Sequence, residues 1–379
     1  MKVPFFKQNL INTAYAGAIH SAVDALIDGS NYMVLGSISN QFELQFSRYI
    51  GSSYFVFVSN GLDALILACE ALDLSPEDEV IVPSHTYIAS WIAPLRSKCR
   101  LVVAPVDEKN LLLDPSAIEN LITPKTKCIL PVHLYGNSCS MSAILKIAQK
   151  HGLYVIEDAA QAHGSSTDGK KVGSFGDLTC FSFYPTKNLG GLGESGGVST
   201  NSTYLHDKIK SLRNYGRDRE DGSLNQYVGS NKRGDEIQAA FLSRKLKDLD
   251  GIKQKRIELV VRYKENLSEI SSLGALIEYQ NTSSPHLAVF RLKAKDKRDA
   301  LANYLKRNSV QTSVHYKLPC FRQPFMDHQS LSISESVCNQ SQDIADTIIS
   351  LPMSEVHTID EIDYVSEKIQ EFSVASKYL

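Results

Sequence analysis

Between about residues 60 and 200 the chain alternates short, almost wholly apolar runs with helical ones, a pattern that few folds accept. "DEVIVP" (78–83), "RLVVAPV" (100–106), "TKCILPV" (126–132), "GLYVIED" (152–158) and "LTCFSFY" (178–184) read as strands. Between them, "LDALILACEAL" (62–72), "PSAIENLI" (115–122) and "MSAILKIAQKH" (141–151) carry helical periodicity. Strands that are apolar along both faces need cover on both. Intervening helices supply that cover and return the chain for parallel pairing. The expected fold is α/β, with a mostly parallel sheet between helical layers. In such sheets ligands bind beyond the carboxyl ends of the strands, where the loops gather.

A chain of 379 residues exceeds one compact core, and its pattern changes after Gly229. Residues 235–270 predict a long, charged, amphipathic helical stretch broken near Gly251. "HLAVFRLKA" (286–294) predicts a strand, and "KRDALANYLKRN" (297–308) and "TIDEIDYVSEKIQEFSVA" (358–375) predict helices. These features divide the chain into a large domain, 1–245, and a smaller C-terminal α/β domain, 246–379.

Composition excludes several function classes. A net charge of −2 gives no broad attraction for nucleic acid or anionic membranes. No apolar run approaches the ~20 residues of a membrane span, and "MKVPFFKQNLINTAY" lacks the pattern of a secretory signal. Seven cysteines, odd in number and without a CxxC pair, read as reduced thiols of a cytoplasmic protein. Ten dispersed histidines without HExxH argue against a metal. "GSSTDGKK" (164–171) and "GLGESG" (191–196) imitate phosphate-loop and dinucleotide motifs but lack the strand–loop–helix setting those need, and read as turns.

The candidate chemistry lies at the strand ends. "FVSNGLDAL" (57–65) is a strand, a small-residue turn and a helix start, whose free N–H groups suit a phosphate; Asn60 alone reads equally as a helix cap. "PSHTYIAS" (83–90) puts His85 and Tyr87 past a strand end, where an aromatic either stacks on a flat ligand or covers the surface. Asp158 ends the strand in "VIEDAAQAHGS", with Gln161 three residues on; its carboxylate could bind a metal, orient a histidine or pair with a protonated ring nitrogen. Lys187, in "FSFYPTKNLGG", follows Ser182 and Thr186. In isolation it is an exposed loop lysine; in a dry pocket it is a nucleophilic amine. Together, in this order, these residues are what pyridoxal phosphate needs: a phosphate anchor, a ring cover, an acid at the ring nitrogen and an amine for its aldehyde.

"SNGLDAL", "DEVIVPSHTYIAS", "ITPKTKCILPVHLYG", "VIEDAAQAHGS", "FSFYPTKNLG", "GSNKRGDEIQAA" and "VHYKLPCFRQPF", spread over most of the chain, resemble the fold-type I, pyridoxal-phosphate-dependent sugar-nucleotide aminotransferases of the DegT/StrS type. The resemblance implies that Lys187 is the Schiff-base lysine and Asp158 the partner of the pyridine nitrogen. It places Gln161 near the cofactor's 3-hydroxyl and Tyr87 on the ring face. It makes Gly61, Leu62 and Ser182 phosphate contacts, with Asn231 reaching the phosphate of the neighbouring subunit in a homodimer with shared active sites. It sets His315 and Tyr316 near the sugar-nucleotide pocket.

The chain departs from the family pattern at Leu62, where Thr is usual, at Glu77, which replaces a common Gly in a turn, and at Lys317, where Pro often stands. A subgroup replaces the lysine by histidine and dehydrates; Lys187 favours amino transfer. "FYPTKNLGGLGE" resembles members that aminate carbon 3 of a nucleotide-linked 3-keto-6-deoxyhexose. The implied reaction passes an amine from L-glutamate to a dTDP-linked 3-keto-6-deoxyhexose, for surface polysaccharide such as O-antigen or for a glycoside. The alternatives are a 4-keto-sugar aminotransferase and a non-catalytic sugar-binding or regulatory protein on the same fold.

Overall fold

In the computed structural model, which describes residues 1–29, 31–218 and 220–375, the apolar runs become a central sheet. Its strands are β1 (Tyr54–Val58), β2 (Glu79–Pro83), β3 (Arg100–Ala104), β4 (Thr126–Ile129) and β5 (Tyr154–Asp158). A two-residue hairpin follows, β6 (Ser166–Thr167) and β7 (Lys170–Lys171), then β8 (Leu178–Ser182) and β9 (Gly196–Thr200). The hairpin turns at Asp168 and Gly169, both at positive φ, so "GSSTDGKK" is a turn as its composition suggested.

The smaller part contributes β10 (Gly274–Leu276), β11 (Ala288–Leu292), β12 (Leu331–Ser332) and β13 (Ile348–Leu351). The large sheet runs β1-β9-β8-β5-β4-β2-β3-β12, and a three-stranded antiparallel sheet runs β10-β11-β13. Within the large sheet only β9 is antiparallel to its neighbours. The carboxyl ends of β1, β2, β4, β5 and β8 therefore open on one edge, and so does the start of β9, whose Gly196 pairs with both Val58 and Ser182.

All five residues of β2 are buried, and β3, β4 and β5 each expose just one, as a sheet covered on both faces requires. Under β1 and β8 lies an aromatic layer. Phe42 and Phe46 of helix Ser37–Ile50 pack edge-on against Phe55, Phe57, Phe181 and Phe183. Each buried phenyl ring adds roughly 1.5–3 kcal/mol of burial free energy, which makes β8 a rigid base for the loop that follows it.

One expectation fails. The long helical stretch breaks at Lys247–Asp248, between helices Glu236–Leu246 and Leu249–Asn266, and Gly251 is inside the second helix. A lone glycine costs a helix only about 1 kcal/mol, whereas Asp248 is held in place by the Tyr15 hydroxyl at 3.1 Å and by Arg244 at 2.9 Å. The anchored aspartate sets the corner. The N-terminus returns to the smaller part, where Val3 bridges Val310 and Phe5 stacks on His315 at 5.8 Å between centroids.

Candidate active site

Five chain segments leave the open edge of the sheet and converge. After β1, Asn60 caps helix Gly61–Ala71 by accepting the Asp63 N–H at 2.8 Å, which leaves the N–H groups of Gly61 and Leu62 without a protein acceptor among the described residues. Asn60 is thus a cap, and the free donors are the next two residues. A Cβ on Gly61 would lie 2.6 Å from Ser182 Cβ, and one on Gly196 2.4 Å from the Asn60 backbone. Both glycines are required for the helix start, β8 and β9 to close on one another. Leu62 packs its side chain against the main core, so the usual threonine hydroxyl is replaced here by apolar packing. Glu77 lies in a turn closed by the Asp78 N–H to Ser75 O at 3.0 Å, in line with the turn variation read from the sequence.

Asp158, at the end of β5, is buried; Oδ2 accepts the Ser90 hydroxyl at 2.7 Å and Oδ1 the Ala160 N–H at 3.1 Å. Burial pushes its carboxyl above the usual range, against the pull of Ser90, Ala160 and Lys187. The next residue back, Glu157, points to the opposite face of the strand. It accepts from His133 Nε2 at 2.9 Å, Gly176 N at 2.7 Å and Thr179 Oγ1 at 2.7 Å. His133 Nδ1 accepts the Cys139 N–H at 3.0 Å, so the ring offers its single proton through Nε2. The His133 backbone N–H in turn holds the Asp158 carbonyl at 2.9 Å.

Gln161 is fixed at both ends of its amide: Oε1 accepts the Tyr135 N–H at 2.8 Å, and Nε2 donates to the Tyr316 hydroxyl at 2.9 Å. Tyr316 faces Tyr87 at 5.2 Å between centroids, while Tyr87 is 54% exposed at the rim. His315 Nδ1 meets Ser350 Oγ at 2.8 Å, and burial with the Lys187 charge nearby pushes its pKa down to about 4. Tyr135 ties these segments together. Its hydroxyl contacts His85 Nε2 at 2.6 Å and donates to the His315 carbonyl. His85 is buried and its pKa falls to about 3, so it is a neutral hydrogen-bonding group.

Lys187 follows β8 in a turn closed by its own N–H to the Tyr184 carbonyl at 2.9 Å. Enclosure by the surrounding protein lowers its pKa to about 8, with Asp158 pulling the other way. This is the partly desolvated amine that a nucleophilic lysine needs. The turn is anchored on both sides. Asn188 Nδ2 donates to the Ser284 carbonyl and hydroxyl, each at 3.0 Å, and Gln238 Oε1 accepts the Leu192 and Gly193 N–H groups at 2.8 and 3.2 Å.

Lys187, Asp158, Gln161, Ser182, Gly61, Leu62, Tyr87, His315 and Tyr316 thus share one edge of the sheet. Asn231 stands apart from them: it is exposed, and its Oδ1 accepts from Arg233 Nε at 2.9 Å. Sequence reasoning passed over Thr86, Ser90, Tyr135, Asn188 and Gln238, although each lies inside a quoted block. Their role is to hold other side chains and loop backbone in place, which leaves no chemical signature of its own.

The donor set fits pyridoxal phosphate: free helix N–H groups and a hydroxyl for the phosphate, a buried carboxylate for the ring nitrogen and a partly desolvated amine for the aldehyde. The chain matches the DegT/DnrJ/EryC1/StrS aminotransferase family over residues 15–370. It belongs to this family. It is 39% identical over 373 residues to the dTDP-3-amino-3,6-dideoxy-alpha-D-galactopyranose transaminase of Aneurinibacillus thermoaerophilus, covering 98% of this chain and 99% of that one. Among solved structures it resembles Streptomyces venezuelae DesV in complex with a ketimine intermediate, at a TM-score of 0.92 and 34% identity over 98% of each chain. It also resembles Bacillus subtilis NtdA with bound cofactor PMP, at a TM-score of 0.91 and 29% identity over 98% of this chain and 85% of that one. This DegT-family aminotransferase is pyridoxal-phosphate-dependent and has the fold-type I architecture expected from its strand pattern. Among its described residues no helix is long and apolar enough to cross a membrane.

Proposed function

We propose that this aminotransferase passes the amine of L-glutamate to carbon 3 of a dTDP-linked 3-keto-6-deoxyhexose, in the cytoplasm, giving a 3-amino-3,6-dideoxy sugar for surface polysaccharide or a glycoside. The observation that carries this reading is the full-length likeness to the A. thermoaerophilus transaminase, whose name specifies a dTDP-linked 3-amino-3,6-dideoxyhexose. When bound, the cofactor supplies an aldehyde that captures amines and a ring that accepts electrons.

The rest of the chemistry falls to this chain's residues. Lys187 Nζ, with its pKa near 8, is available as a free amine close to neutral pH and moves the proton at the reacting carbon. Asp158 keeps the ring nitrogen protonated. Gln161, its amide oriented by Tyr135 and Tyr316, donates at the ring's hydroxyl. The N–H groups of Gly61 and Leu62 and the Ser182 hydroxyl bind the phosphate, Tyr87 covers the ring, and His315 and Tyr316 face the sugar nucleotide. The test is a panel of 3-keto and 4-keto dTDP-sugars with glutamate, read by product mass and NMR. An amine at carbon 3 is expected; an amine placed only at carbon 4 overturns the assignment.

The working unit in this proposal is a homodimer in which the partner's copy of Asn231 completes the phosphate site. Exposed Ile27, Tyr32, Met33, Tyr215, Leu224 and Val228 support a partner surface there. They flank the stretch 231–236, whose Lys232 carbonyl holds the Ser59 N–H at 3.1 Å beside the phosphate turn and whose Glu236 holds Asn31 at 2.8 Å. Asn231→Asp would set a negative charge against the phosphate. Mixing that variant with Lys187→Ala should recover about a quarter of wild-type activity, because half the dimers are hybrids with one intact site. No recovery from subunits shown to exchange would exclude sharing.

A further inference from the structure

The carboxylate proposed for the ring nitrogen is itself held by two hydroxyls that no part of the reaction above uses. Ser90 Oγ donates to Asp158 Oδ2 at 2.7 Å and lies 2.9 Å from Thr86 Oγ1. A serine hydroxyl has one proton. With that proton committed to Asp158, the contact between the two hydroxyls must be donated by Thr86, so the protons run from Thr86 to Ser90 to Asp158. Ser90 is fully buried, and Thr86 and Asp158 are 3% and 4% exposed, so bulk water cannot replace either donor. Thr86 is fixed in turn by its carbonyl, which accepts the Cys320 thiol at 3.3 Å. The two hydroxyls are four residues apart where the chain enters helix Ala89–Arg96, a spacing that stacks them on one side.

The polarity of this chain is tied to the charge of Asp158. A carboxylate accepts from Ser90; a protonated acid would have to donate to it and reverse both hydroxyls. Burial favours the neutral acid, and Ser90 and Ala160 are the donors that oppose it. The group that faces Asp158 with a positive charge is Lys187; His133, whose Nδ1 accepts the Cys139 N–H, is neutral and turns its single ring proton to Glu157.

We propose that Thr86 and Ser90 form a buried hydroxyl relay that keeps Asp158 ionised and aimed at the pyridine nitrogen, which makes both of them positioning residues for the cofactor. The inference rests on the reading of Asp158 given above. It predicts an effect confined to ligands that possess the ring nitrogen. Ser90→Ala should weaken pyridoxal phosphate binding by about 10-fold, the scale of one lost hydrogen bond to a charged group. The same variant should leave the affinity for 1-deazapyridoxal phosphate, which has C–H in place of the nitrogen, unchanged. Thr86→Val, which removes the second hydroxyl at nearly constant shape, should shift the same ratio in the same direction by a smaller factor. Ser90→Thr should restore it.

Apoprotein titrations with both ligands, followed by fluorescence and accompanied by circular dichroism, read all of these, and Thr86→Val stands in if Ser90→Ala does not fold. Asp158→Asn is the reference. If it discriminates between the ligands and the relay variants do not, the relay is refuted. If it fails to discriminate, the pairing of Asp158 with the ring nitrogen is refuted instead.

Discussion

Replacing Lys187 by alanine is expected to lower kcat by at least about 10⁴-fold and to leave the fold intact. Proton transfer by a placed base is worth roughly 10²–10⁴ in rate, and the same amine also anchors the cofactor covalently, so both contributions vanish together. Borohydride treatment followed by peptide mapping should label Lys187 in the wild type. Turnover within tenfold of wild type, or a label on another amine, would remove Lys187 from the chemistry.

A second readout is independent of catalysis. The fold holds the Lys187 pKa near 8, below its ordinary 10.5. Between those two values the unfolded chain keeps a proton that the folded chain has released. The charged amine therefore costs stability below pH 8, and the cost disappears as the pH rises to about 10.5. Cofactor-free Lys187→Met, which keeps the aliphatic stem and loses the amine, should be more stable than wild-type apoprotein at pH 7. The gap should close near pH 10.5, as measured by urea denaturation. An equal gap at both pH values would mean that the amine is not desolvated in the way the fold implies.

The elements that were legible in the sequence are those whose physics is local. β2 to β5 and β8 are short apolar runs bounded by turn residues, and helix Met141–His151 shows its apolar period within eleven residues. Lys187 and Asp158 could be read because a charged residue just past an apolar strand is conspicuous. What stayed hidden depended on distant partners. The break in the 235–270 stretch is set by Tyr15 and Arg244 gripping Asp248, and a glycine nearby was the louder local signal. Ser90, four residues after Thr86, gives no sign that it meets Asp158, because 68 residues of chain separate them and only the pairing of β2, β4 and β5 closes that distance. Tyr135 is hidden for the same reason: its hydroxyl links His85 to His315 across 50 and 180 residues of sequence.

Asp158→Asn should cost roughly 10²–10³ in kcat, equivalent to about 2.7–4.1 kcal/mol of transition-state stabilisation. The amide nearly matches the carboxylate in shape; with its oxygen accepting the Ala160 N–H, its NH2 can donate to Ser90 Oγ, whose proton then turns to Thr86, so the strand end should keep its fold. What it lacks is the negative charge. The ring nitrogen holds its proton only while an anion in a dry site compensates for it, and the ring accepts electrons from the reacting carbon only while it holds that proton. That demand is greatest at the transition state, so kcat should fall further than cofactor affinity does. Asp158→Glu separates charge from position. It restores the anion but carries it one methylene further into a site where Oδ2 and Oδ1 are already fixed by Ser90 at 2.7 Å and Ala160 at 3.1 Å, so its activity should fall between those of the wild type and Asp158→Asn. Single-turnover amine transfer from glutamate isolates this step from product release. A rate for Asp158→Asn within threefold of wild type would leave the ring's protonation with some other group, and the buried carboxylate at the end of β5 would then lose its part in the reaction.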